Sequence, residues 1–125
     1  MQHTTPPTLD EIAAMAQRAL GEIPERFTRA ARDLQLVVED IADDELLDAM
    51  GIESGYDLTG LYRATPPEDS DGEPDAVVLY REPILLEWIE SGEDLFQLVR
   101  TVLIHEIAHH FGFSDADIAR LENEG

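Results

Sequence analysis

The chain has 125 residues with 28 acidic against 8 basic side chains, a net charge of −20 that repels phosphate backbones and so excludes nucleic acid as a partner. It has no cysteine, which excludes a disulfide framework and a thiolate metal site, so any metal must be held by histidines and carboxylates. The length suits one domain over residues 1–125, with residues 1–7 as a disordered tail. The start, M-Q-H-T-T-P-P-T, has no basic n-region or apolar core, and no run approaches a membrane span, so a soluble cytoplasmic protein is expected.

Thr8-Leu9-Asp10-Glu11 has the form of a capping box, and Leu9, Ile12, Ala13, Ala16, Leu20 and Ile23 recur behind it at helical spacing. This predicts a packing helix. Pro24 suits the first position of a short second segment with Phe27, Ala30 and Ala31. Leu34 to Glu39 is short and β-branched enough for a strand, and an acidic stretch from Asp40 holds a helical turn or two around Glu45 to Met50, closed by Gly51. Leu58 to Ala64 and Ala76 to Tyr80 predict a second and a third strand.

Between those strands lies T-P-P-E-D-S-D-G-E-P-D, an acidic, proline-rich loop. A twelve-residue calcium frame would put Pro67 at its first ligand and Val78 at its last, so a calcium site is excluded and a surface loop expected. Pro83 to Ile89 predicts a short helix bringing Trp88 inward. Ser91-Gly92-Glu93-Asp94 then starts the main helix, Gly92 to Phe111, in capping-box style. Being apolar on nearly all sides, that helix is read as central. A last short helix, capped by Ser114, should run through Leu121.

The chemistry is concentrated in V-L-I-H-E-I-A-H-H-F, Val102 to Phe111. A glutamate in so apolar a run faces a desolvation cost of several kcal/mol unless something compensates, and a cation is the natural candidate. His105 and His109 are i and i+4, one turn apart on one face, and Glu106 is rotated about 100° from His105, within reach of a water on a shared ion. Gly112 is a helix stop, after which Asp115 returns towards the histidines. The signature is H-E-x-x-H-x-x-G-x-x-D. Its expected ligands are His105, His109 and Asp115, with the fourth position left for water, as in a catalytic zinc site. Asp115 reads alternatively as ordinary first-turn helix chemistry. His110 points about 140° from His105 and suits packing or a supporting hydrogen bond.

H-E-I-A-H-H-F-G-F-S-D resembles the short bacterial zincin-like metallopeptidases, relatives of the metzincins. L-V-V-E-D, D-L-T-G-L-Y-R and V-L-Y-R-E-P-I look like the strand segments of that family. The resemblance implies an α+β minimal zincin, a small mixed sheet of about three strands on helices with a central active-site helix. It implies zinc ligands at His105, His109 and Asp115 and a catalytic glutamate at Glu106. Larger metzincins more often have histidine as third ligand and a methionine turn below the metal. Here Met1, Met15 and Met50 all precede the motif.

The function expected is zinc-dependent peptide-bond hydrolysis with one Zn²⁺ per chain and Glu106 as general base. A ferrous ion suits the same ligand set. Short, flexible or basic peptides are the expected substrates, aligned by edge pairing on a strand such as Ala76 to Tyr80. Tyr62 or Tyr80 is a candidate oxyanion donor, and each reads equally as a half-buried strand tyrosine. The alternative is a non-catalytic, metal-stabilised acidic interaction domain that retains a zincin site.

Overall fold

A computed structural model of the chain describes residues 5–23, 34–63, 75–111, 116 and 119–120. The first helix, α1, spans Leu9–Glu22 and opens as the sequence predicts. Thr8 Oγ1 accepts from the Glu11 amide at 3.1 Å, and Glu11 Oε1 accepts from the Thr8 amide at 3.0 Å. Two otherwise orphaned amides are thereby satisfied. Ile12, Ala16 and Ala19 are its buried face.

Strand β1, Gln35–Glu39, leads to helix α2, Asp44–Met50, whose first turn is capped by Asp43. Gly51 closes α2 in the left-handed region at φ 71°, which glycine adopts without steric cost. A 3-10 turn at Gly55–Asp57, not anticipated from the sequence, precedes β2, Gly60–Arg63. Strand β3 is Ala76–Tyr80. Helix α3, Arg81–Ser91, starts directly at the strand's end and is longer than the expected Pro83 to Ile89. Pro83 stands in its first turn, where no intrahelical N–H is needed.

The main helix, α4, spans Leu95–Phe111 and begins later than expected. Gly92, at φ 72°, ends α3 instead of opening α4. Asp94 Oδ2 accepts from the Gln97 amide at 3.1 Å and supplies the cap, while Ser91 Oγ accepts from the Glu93 amide at 3.2 Å in the connecting turn. The expected capping box from Ser91 to Asp94 is therefore corrected. Asp94 caps the helix itself.

The sheet order is β1-β3-β2, with β1 parallel and β2 antiparallel to β3. This mixed sheet and, among the described residues, four helices longer than one turn make the expected α+β architecture. Period-two alternation divides the strands between two cores. Leu36, Val38, Tyr62, Val77 and Leu79 pack with α1 and α4, while Val37, Leu61, Val78 and Tyr80 pack with Ala42, Leu47 and Leu58. All five residues of β3 are buried, as a strand covered on both faces requires.

The expectation that Ala76 to Tyr80 offers an edge for peptide pairing is overturned. Both of its edges are already paired, to β1 and to β2, so its backbone groups are committed. Among the described residues the edges of the sheet are β1 and β2.

The expected segment from Pro24 with Phe27, Ala30 and Ala31, the loop up to Pro74, Gly112, Ser114 and Asp115 lie outside the described residues. Of the last expected helix, residues 116, 119 and 120 are described and are helical. Among the described residues no helix is long and apolar enough to cross a membrane.

Candidate functional site

Helix α4 buries Leu98, Val99, Val102, Leu103, Ile104, Ile107 and Ala108, together with Arg100. So much apolar surface fixes the rotation of the helix, and with it the direction in which its polar residues point. His105 and Glu106 are half-buried and His109 is exposed. The site helix is thus anchored in the core along one flank and open to solvent along the other.

The His105 and His109 rings stand 5.9 Å apart between centroids, edge to face at 71°. Two imidazoles bound to one zinc at Zn–N of about 2.0–2.1 Å have centroids roughly 5 Å apart, so small side-chain rotations bring both nitrogens onto one ion. The pair fits a metal in type, spacing and access. Among the described residues no group of three or more His, Cys, Asp or Glu is arranged to hold a metal. The third expected ligand, Asp115, lies outside them.

Glu106 stands between the two histidines in sequence. Burial pushes its carboxyl above the ordinary carboxylate range, and the His109 and His105 imidazoles oppose that shift. A carboxylate with raised basicity beside two imidazoles is suited to accept a proton.

The two tyrosines named from the sequence point to opposite faces of the sheet. Tyr80 lies on the α2 side, away from α4, and is 2 % exposed, which removes it as an oxyanion donor to this site. Burial raises its phenol pKa, with Glu39 and Asp43 raising it further and Arg63 lowering it. Tyr62 lies on the α4 side, and its hydroxyl donates to Asp75 Oδ2 at 2.8 Å. Burial, and then that hydrogen bond, push the Tyr62 phenol well above its ordinary value.

Gly60 passed as an ordinary strand residue in the sequence, yet it sets how closely β2 approaches the site helix. A Cβ there would stand 3.1 Å from Val102 Cγ1 and 3.0 Å from the Val78 carbonyl oxygen. Val102 is one turn ahead of His105 and Glu106. The available signal was a glycine inside an apolar strand run, which marks close backbone approach.

Comparisons with known proteins bear on the fold and the family. A conserved hypothetical protein from Thermo thermophilus is similar in fold, with TM-score 0.57 at 24% identity over 84% of this chain and 94% of that one. No curated protein matches the chain. The family model described as zincin-like metallopeptidase matches residues 31–124, a span containing β1 and the whole H-E-x-x-H helix. The chain belongs to the zincin-like metallopeptidase family.

Proposed function

We propose that this protein is a zinc-dependent metallopeptidase in which His105, His109 and Asp115 hold one zinc and Glu106 is the general base. The observation that supports this most strongly is the half-buried Glu106 carboxyl, raised by burial, on the same helix as a pair of imidazoles 5.9 Å apart. Zinc bound there supplies Lewis acidity towards a substrate carbonyl and acidifies a coordinated water. The Glu106 carboxylate takes the proton of the attacking water and delivers it to the nitrogen of the departing amine.

Substrate alignment falls to β2 in this reading. Among the described residues it is an edge strand, and through Gly60 its backbone lies against Val102 on the site helix. An extended peptide can add to that edge by main-chain hydrogen bonds, which places its scissile amide beside His105 and Glu106.

The test is hydrolysis of a mixed peptide library by the zinc-loaded protein and by Glu106→Gln. Cleavage by the wild type, with the variant slower by about 10²–10⁴-fold at unchanged zinc content, is the expected result. Equal rates in the two proteins, or no cleavage by either, would sink the peptidase reading.

A further inference from the structure

Tyr56, Asp57, Thr59, Pro83, Leu86, Glu87 and Glu90 line a groove of about 320 Å³. Its apolar walls are unusually open: Tyr56 is 49% exposed and Leu86 38%, with Ile89 of the same helix at 74%. Large apolar groups exposed together and rimmed by charge mark binding surfaces. The charged members of the lining, Asp57, Glu87 and Glu90, are all carboxylates and all exposed.

The groove is continuous with the proposed substrate edge. Thr59, in its wall, immediately precedes Gly60, and its carbonyl accepts from the Tyr80 amide at 2.9 Å, which fixes it at the head of β2. Gly60 in turn meets Val102, one turn from His105.

We infer that this groove receives a lysine or arginine side chain of an extended peptide lying along β2. The inference rests on the peptidase reading for the position of that peptide. The methylene stem of such a side chain packs on Leu86 and the Tyr56 ring, as long basic side chains do on apolar surface. The cationic head meets Asp57, Glu87 and Glu90, and the exposed tyrosine face adds cation–π attraction. The Tyr56 hydroxyl donates to Glu82 Oε1 at 3.2 Å, which holds the ring in place. An acidic side chain would be repelled, and a short apolar one would leave the carboxylate rim unused.

The test is peptide binding, read by fluorescence anisotropy, to the zinc-loaded Glu106→Gln protein, so that turnover plays no part. The probes are an alanine-rich decapeptide carrying one lysine and its norleucine counterpart, which keeps the stem and removes the charge. Exposed ion pairs are individually weak, so three acting together should favour the lysine peptide by about tenfold. In the background of that variant, Asp57→Asn/Glu87→Gln/Glu90→Gln should abolish the preference and leave norleucine binding unchanged. Asp44→Asn/Asp48→Asn/Glu53→Gln, the same change in charge on a different surface, should retain it.

A preference that survives the groove variant, or falls equally in the control, overturns the inference, as does failure of both peptides to bind. The two levels separate cleanly. A groove-dependent lysine preference without cleavage by the wild type keeps the groove and removes the peptidase, whereas cleavage indifferent to basic residues does the reverse.

Discussion

Gly60 and Val102 meet closely: a Cβ on the glycine would stand 3.1 Å from Val102 Cγ1, so the valine would have to give way by a few tenths of an ångström. This contact fixes the distance between the β2 edge and the helix bearing His105 and Glu106. Gly60→Ala forces apart groups that include the Val78 carbonyl of the central strand. The expected destabilisation is about 1–3 kcal/mol, measured by urea unfolding, with peptide hydrolysis reduced beyond the fraction unfolded. An alanine variant of wild-type stability would show that β2 has room to retreat.

Tyr62 and Asp75 form a second tie on the same face, a hydroxyl donated at 2.8 Å. Tyr62→Phe should cost about 0.5–1.5 kcal/mol near neutral pH, the usual net value of such a bond. Because burial and the Asp75 carboxylate raise the phenol above its ordinary value of 10.0, the neutral form is favoured by folding. That contribution is complete below the unfolded value and is lost as pH rises through the folded one. The stability gap between wild type and Tyr62→Phe should therefore narrow above about pH 10 in denaturant titrations. A gap that widens there would contradict the assignment.

Glu106 carries the same sign of linkage in the metal-free protein, in a lower pH window. Its carboxyl is raised by burial above the ordinary value of 4.5, so the folded chain holds a proton there that the unfolded chain has released. The stability linked to that proton is fully present below the unfolded value and is lost as pH rises through the folded one. At neutral pH a half-buried carboxylate remains, its burial only partly offset by the two imidazoles. Glu106→Gln removes it, and the metal-free variant should melt higher than the metal-free wild type at about pH 7. The two curves should converge towards about pH 4. A variant that melts lower than wild type at neutral pH would mean that the carboxylate is already compensated by protein groups.

The Thr8 capping box holds the start of α1 at the exposed end of the helix. Thr8→Ala should cost about 1 kcal/mol in thermal or urea unfolding while leaving zinc affinity unchanged, because α1 contributes none of the proposed ligands. A loss of zinc affinity in that variant would show that the helix orients the site.

Much of this was legible in the sequence because the signals were local. A capping box is four residues long, and H-E-x-x-H encodes its own geometry through the helix repeat, so Thr8, Glu11, His105, Glu106 and His109 fell where the spacing placed them. The existence of β3 was likewise written in A-V-V-L-Y. Strand order was not, since Ala76–Tyr80 lies between two partners whose pairing depends on distant segments, and an apolar strand reads alike at centre and edge. Ser91 and Asp94 both carry cap chemistry, and only the left-handed backbone of Gly92 decides between them. The opposite orientations of Tyr62 and Tyr80 follow from register, which a single segment does not reveal.

The most direct measurement is bound metal per chain, by elemental analysis of untagged protein purified without chelator, for the wild type, Glu106→Gln, His105→Ala and Asp115→Ala. The account predicts about one zinc per chain in the wild type and in Glu106→Gln, since that residue moves a proton and is not a ligand, with zinc lost in His105→Ala and much weakened in Asp115→Ala. Wild-type protein that takes up no metal even when zinc is supplied would contradict it.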